Sequence, residues 1–354
     1  MQELQTFLKD KAYDFVPLLD KCKRLSYIPH NIMEKGSYNG KLKLKIQVLS
    51  PLHIGGRMQD YDNMGNIIKK QVSRNGNMVI PGSSLKGAVR SIAEAVSYSC
   101  AVKVPDNILK RILPINNQEQ CSNINNGICI VCSIFGIANG EAAYKGKVNF
   151  GEFKLISGGL EENQIPLLEK PFKNDTTNDV FYNNNEKKNY GNERLYYCKA
   201  CETGRCQNCS KQEYSQNIKE AGKERDMAFR GRKFYKTNGG NEAPPNKKVC
   251  CEMIRTGSVM EGELIFQNLR KEEGMLLAYA LDINNYFTMK LGYAKSLGYG
   301  KVRIYLEEVE SASNRYPGSG YLEKEIIENW GREYRERCSD EIKNVINKLE
   351  EIMK

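Results

Sequence analysis

At 354 residues the chain is long enough to bury a substantial core without covalent help, which excludes a miniprotein held together by disulfides. Its 53 Lys+Arg against 43 Asp+Glu give a formal charge of +10, a balance that favours a polyanionic partner and places nucleic acid ahead of a membrane surface. No run approaches the roughly 20 apolar residues needed to cross a bilayer, and Met1-Gln2-Glu3-Leu4-Gln5 lacks the basic-then-apolar order of a secretion signal, so the expected setting is the cytoplasm with no membrane partner.

Residues 1–40 carry apolar side chains at helical spacing (Leu4, Phe7, Leu8, Ala12, Phe15, Leu18, Leu19) and predict a helical N-terminal arm. From Lys41 to Val48 apolar and polar residues alternate strictly, which suits a strand with one buried face and one basic face. Ser83 or Ser84 can then cap a helix reaching about Ser99, with Leu85, Val89, Ile92, Ala93 and Val96 inward. A further strand over 147–156 completes residues 41–158 as the first half of one sheet-based domain. Residues 159–250 show no clean periodicity, contain Asn183-Asn184-Asn185, and read as a large insertion. Regular pattern resumes over 251–310 with a strand at Glu261–Leu269, a helix around Glu272–Leu281, a glycine-rich turn at Gly292–Gly300 and a strand at Lys301–Leu306. Residues 311–354 predict a charged helical tail. Two strand-helix-strand units pack naturally as an antiparallel sheet with both helices on one face, so the expected class is α+β, ferredoxin-like, as in RNA-recognition motifs.

The cysteines are too clustered for a scattered set. Cys198-x2-Cys201-x4-Cys206-x2-Cys209 supplies two Cys-x-x-Cys knuckles able to converge on one ion, for which zinc is the preferred occupant over an iron–sulfur cluster or a redox pair. A second set, Cys121-x7-Cys129-x2-Cys132, needs a fourth ligand, and Cys100 is the nearest candidate. Both zinc sites are expected to be structural, since four thiolates leave no open position for water or substrate.

Pro81-Gly82-Ser83-Ser84-Leu85-Lys86-Gly87 places small residues, hydroxyls and a lysine at a helix start, where free N–H groups attract phosphate, although an ordinary capped turn has the same spacing. Leu49-Ser50-Pro51-Leu52-His53-Ile54-Gly55-Gly56 precedes it, and Gly292-Tyr293-Ala294-Lys295-Ser296-Leu297-Gly298-Tyr299-Gly300-Lys301 follows. In this order the three segments resemble the RAMP superfamily of CRISPR effector proteins, specifically the backbone subunits of type III and related class 1 complexes. Cys129-Ile130-Val131-Cys132-Ser133-Ile134-Phe135-Gly136 is similar to an element of zinc-containing members, and Arg230-Gly231-Arg232-Lys233-Phe234-Tyr235 is similar to a basic-aromatic motif of the type III-D lineage. The resemblance implies a ferredoxin-like palm, a projecting thumb, and copies stacked along a guide RNA (crRNA) that pairs with target RNA, alongside other effector subunits.

Candidate RNA contacts are His53, Gly55, Gly56 and Arg57 in the first loop, and Ser83, Ser84, Lys86 and Arg90 at the helix start. Arg230, Arg232, Lys233, Phe234 and Tyr235 interleave cations with aromatics, a combination that holds phosphates and stacks bases, although an aromatic can equally anchor the patch. Lys295, Ser296 and Lys301 are the candidates in the late loop. The resemblance further implies that some members cut target RNA with an aspartate between the first two motifs; here that position falls near Asn66 or Ile67, neither a carboxylate. Asp60 and Asp62 lie several residues earlier and are the fallback catalytic candidates. The favoured expectation is an RNA-binding scaffold whose cleavage function is absent or has passed to a separate nuclease.

Overall fold

The computed structural model describes residues 12–61, 67–100, 121, 127–138, 143–166, 196–198, 227–229, 231–239, 248–316 and 318–354. In chain order the principal strands are β1 (Tyr13–Val16), β2 (Arg24–Leu25), β3 (Tyr38–Val48), β4 (Gly55–Tyr61), β5 (Ile67–Gln71), β6 (Asn77–Ile80), β7 (Ile128–Cys129), β8 (Val148–Phe150), β9 (Phe153–Ser157), β10 (Leu160–Pro166), β11 (Arg232–Tyr235), β12 (Lys248–Ile254), β13 (Val259–Leu269), β14 (Met289–Lys290) and β15 (Lys301–Ser311). The helices are α1 (Gly82–Ala95), α2 (Ile130–Phe135), α3 (Lys271–Ala280), α4 (Lys324–Arg337) and α5 (Asp340–Met353).

The main sheet runs β14-β15-β3-β13-β9-β6, with β8 also on β13, and all of these pairings are antiparallel. Its central strand β3 follows the alternation of its sequence. Leu42, Leu44, Ile46 and Val48 are buried in the core that also takes Leu85, Val89 and Ile92 of α1 and Leu276 and Leu277 of α3. Lys41, Lys43 and Lys45 point to the opposite face, where they meet Glu310, Glu308 and Glu307 of β15 at 3.0, 2.6 and 2.7 Å. The expected strands and helices of the two halves are present, so the result is a mixed α+β domain built on an antiparallel sheet.

Three expectations need correcting. Pro81 stands at the N-cap of α1, immediately before Gly82, and neither Ser83 nor Ser84 caps the helix through its side chain. Proline fits there because its fixed φ suits a helix entry and no N–H is needed. Where a helical arm was predicted, residues 13–16 form β1, which pairs with β11, because Tyr13, Phe15 and Val16 find their burial against that strand and α5. Leu4, Phe7 and Leu8 of that arm lie outside the described residues. Nor is the 159–250 region without regular structure. Its ends, β10 and β12, pair with each other over seven residues and join β5 and β4 in a second sheet of order β10-β12-β5-β4. Period alone missed this sheet because its partners are about eighty residues apart, and only tertiary pairing reveals them.

The second sheet has its own small core. Ile165, Val249, Cys251 and Met253 enclose Ala294, and Tyr293, Leu297 and Tyr299 pack against them. The glycine-rich turn is therefore clamped between two sheets.

Candidate nucleic-acid interface and cysteine centre

The first and last glycine segments are laced together by hydrogen bonds. Tyr293 N–H donates to the His53 carbonyl at 2.8 Å, Gly300 N–H to the Pro51 carbonyl at 3.0 Å, and the Ser50 hydroxyl to the Gly298 carbonyl at 3.1 Å. Gly292 has φ +74, and a Cβ there would strike the His53 carbonyl, so glycine is required both by the turn and by the close approach.

The Pro81 segment is tied in by a residue that motif reading passes over. Gln71 is buried, and its side-chain oxygen accepts from Ile54 N–H at 2.8 Å while its amide donates to the Val79 carbonyl at 3.3 Å. Val79 lies in β6, the strand that runs directly into Pro81. One side chain thus connects the loop of His53 to the strand that launches α1. The backbone N–H of Gln71 donates to Glu252 at 3.0 Å, fixing β5 to β12.

Around these joints opens a cavity of about 420 Å³, lined by His53, Ile54, Gly55, Gly56, Lys69, Lys70, Gly292 and Tyr293. Its chemistry is cationic and aromatic. Lys69 lies 3.9 Å above the Tyr293 ring, and Lys70 is 3.7 Å from both Asp60 and Glu252. His53 Nδ1 faces the Glu252 carbonyl at 2.7 Å, which fixes Nδ1 as the protonated nitrogen. Burial, with Lys69 as a lesser contributor, lowers its pKa from the ordinary 6.5. Lys69 and Lys70 went unread in the sequence, although an adjacent cation pair inside a glycine-bounded loop is a usable signal for a phosphate-facing wall.

The late loop adds further cations. Lys290 is buried, and its ammonium donates to the carbonyls of Lys236 and, at 2.9 Å, Lys295, stapling the end of the basic-aromatic segment to the glycine turn. Burial, then the charges of Lys301 and Lys295, push its pKa down to about 7. Lys295 is also lowered by burial and sits 5.7 Å from the Tyr235 ring. Ser296 is buried with no partner for its hydroxyl among the described residues. At the start of α1, Ser83 is exposed and Lys86 partly buried, its pKa lowered by burial and then by Arg90.

Several expected contacts turn inward instead. Arg90 holds Glu94 at 2.8 Å and the Gly136 carbonyl at 2.8 Å. Arg232 holds Glu94 at 2.7 Å and the Cys100 carbonyl at 3.3 Å. Phe234 joins the main core, so in this patch the aromatic-anchor alternative applies to Phe234, while Lys233 and Tyr235 stay partly open. Asp62, Asn66 and Arg230 lie outside the described residues, as does the side chain of Arg57. Asp60 is exposed and lies 3.7 Å from Lys70. Ile67 opens β5.

Behind α1, Cys100, Cys121, Cys129 and Cys132 bring their sulfurs within 4.8 Å of one another, all four buried. Cys100 to Cys132 is 3.5 Å and Cys100 to Cys129 is 3.7 Å. A tetrahedron with zinc–sulfur bonds of about 2.3 Å has edges of about 3.8 Å, whereas a disulfide needs about 2.05 Å, so the spacing fits four thiolates on one ion. Backbone N–H groups of Cys129 and Cys132 donate to the sulfurs of Cys121 and Cys129 at 3.3 and 3.4 Å, the support that thiolates need. The surrounding charge fits as well. Arg24, whose strand β2 pairs with β7, hydrogen-bonds the Cys121 sulfur, and Arg90 reaches the Cys132 sulfur at 3.9 Å. Two guanidiniums match the two net negative charges of a dication held by four thiolates. The other predicted ligand set falls away from this description, since Cys201, Cys206 and Cys209 and the side chain of Cys198 lie outside the described residues.

No described helix is long and apolar enough to cross a membrane. A family model described as the RAMP superfamily matches residues 45–303. A search of curated proteins finds no match to the chain.

Proposed function

The chain belongs to the RAMP superfamily, and from that membership we propose that it is a guide-RNA-binding backbone subunit of a CRISPR effector complex, coating crRNA in several copies and presenting it to target RNA. The observation that carries this reading is the convergence of the His53 and Gly292 segments, joined through Gln71 to the strand entering α1, around a cavity walled by Lys69 and Lys70. Small residues let an RNA backbone approach, and lysines supply the charge that phosphates seek. The order β15-β3-β13-β9 with α1 and α3 as the crossing helices supports reading the domain as a ferredoxin-like palm. Cys100, Cys121, Cys129 and Cys132 are the proposed zinc ligands, and Cys198, Cys201, Cys206 and Cys209 a proposed second set.

Mass photometry of the protein with single-stranded RNA of increasing length tests the reading. Added mass should rise in steps of one chain as the RNA lengthens. A single copy at every length would favour a filament-end subunit instead.

A second reading is favoured by one observation: Asp60 lies 3.7 Å from Lys70, a residue that lines the cavity. In that reading the chain cuts target RNA, and the guide complex should release products at regular spacing that disappear in Asp60→Ala or Asp62→Ala. Intact target after prolonged incubation of the pure complex removes it.

A further inference from the structure

The cysteine centre and the RNA-facing elements share one carboxylate. Glu94, near the end of α1, is almost fully buried and accepts from two arginines, Arg90 at 2.8 Å on one oxygen and Arg232 at 2.7 Å on the other. Each arginine also touches the cysteine centre. Arg90 reaches the Cys132 sulfur at 3.9 Å, and Arg232 donates to the carbonyl of Cys100 at 3.3 Å. The helix that carries Arg90 and Glu94 begins at the Pro81-Gly82-Ser83-Ser84 segment, and the strand that carries Arg232 continues through Lys233, Phe234 and Tyr235.

From this arrangement we propose that occupancy of the four-cysteine centre by a divalent metal sets the positions of α1 and β11 through the Arg90–Glu94–Arg232 relay, so that RNA affinity follows metal occupancy. The proposal rests on the metal and RNA readings above. Its physical basis is geometric. A metal held by four sulfurs fixes Cys100 and Cys132 against each other. The Cys100 carbonyl lies 3.3 Å from Arg232 and the Cys132 sulfur 3.9 Å from Arg90, so both arginines that share Glu94 are positioned from the one centre. Without metal, Cys100 is no longer pinned by a bond to the ion, which releases the carbonyl that holds Arg232 and with it the strand that carries Arg232. Linkage makes the effect reciprocal: RNA that selects the ordered α1 and β11 must raise affinity for the metal by the same factor.

Two variants test the relay in the full-length, metal-loaded protein. Glu94→Gln keeps the shape and removes the charge that both arginines share. Arg232→Lys keeps the charge but lacks the fork that spans Glu94 and the Cys100 carbonyl. Amide hydrogen exchange of residues 232–235 is the first readout and needs no RNA. Chelating the wild-type protein should speed exchange there by about tenfold or more while β3 stays protected, and both loaded variants should already exchange at the faster rate with metal content unchanged. The second readout is RNA affinity with and without metal, expected to differ by about 5- to 150-fold in the wild type and to become nearly independent of metal in the variants. Loaded variants that protect 232–235 as well as wild type overturn the relay, whatever the RNA result. If Glu94→Gln does not fold, Arg232→Lys alone decides. Failure of every form to bind RNA, with the exchange pattern as predicted, overturns the RNA reading and leaves the relay standing.

Discussion

His53 shows how a single side chain is fixed by the fold alone. Its Nδ1–H is committed to the Glu252 carbonyl, and burial keeps the ring neutral below the pH at which a free histidine gains its proton. Below the ordinary 6.5 the unfolded chain binds a proton that the folded chain refuses, so this residue's contribution to stability is present above that pH and is lost as pH falls. Replacing His53 with Gln should flatten the fall in urea-unfolding stability between about pH 7 and about pH 5.5. Gln71 works differently, by satisfying backbone groups. Gln71→Leu would leave the Ile54 N–H and the Val79 carbonyl buried and unpaired, and should cost about 1–3 kcal/mol by the same measurement. A loss below about half a kcal/mol would mean that the three segments are held together by something else. His53 could be read from the sequence because it sits inside a motif. Gln71, Lys69 and Lys70 could not, because their roles depend on partners in other elements, at Val79, Tyr293 and Glu252.

At the scale of elements, the main sheet was legible because its strands alternate. Leu42 to Val48 gives one face to the core and the other to water, and no other packing of that pattern is as favourable. The second sheet was not legible, since Leu160–Pro166 and Lys248–Ile254 are short, lack clean alternation and become strands only by pairing across a long excursion. Residues Tyr13–Val16 misled for a related reason: apolar residues at helical spacing also serve a strand when a partner such as β11 is at hand. The junction of α3 with α2 and β8 carries a buried ion pair that neither periodicity nor motif announces. Lys147 donates to Glu273 at 2.7 Å and the Ser133 hydroxyl to the same carboxylate at 2.6 Å, with both charged side chains almost wholly enclosed. Glu273 also accepts from the Arg270 N–H at 2.8 Å and so closes the first turn of α3. Glu273→Ala therefore strands the lysine and uncaps the helix, and should cost about 3–5 kcal/mol. Glu273→Ala together with Lys147→Met should recover part of that loss, which thermal unfolding of the single and double variants will reveal.

For the whole molecule, the cysteine spacing was readable in part. Cys121, Cys129 and Cys132 declare themselves by proximity in the chain, and Cys100 was named from its place at the helix end; the geometry brings all four together. The cations that complete the centre, Arg24 and Arg90, come from a two-residue strand and a helix far apart in sequence, and only the fold unites them. Charge is divided across the surface in the same spirit. The open face of the main sheet neutralises its lysines with glutamates from β15, whereas in the cavity beside the glycine loops Lys69 lies over an aromatic ring and, among the described residues, makes no ion pair. In the proposed reading, this division of charge favours RNA in the cavity over the sheet face. The measurement that bears most directly on this account is single-stranded RNA affinity as a function of salt for wild type, Lys69→Ala and the distant exposed control Lys324→Ala. Each phosphate contact contributes about 0.7 to the slope of log affinity against log salt. Lys69→Ala should bind more weakly with a slope shallower by about 0.7, while Lys324→Ala matches wild type. An unchanged slope for Lys69→Ala, in a protein that still binds RNA, would contradict the placement of RNA in the cavity.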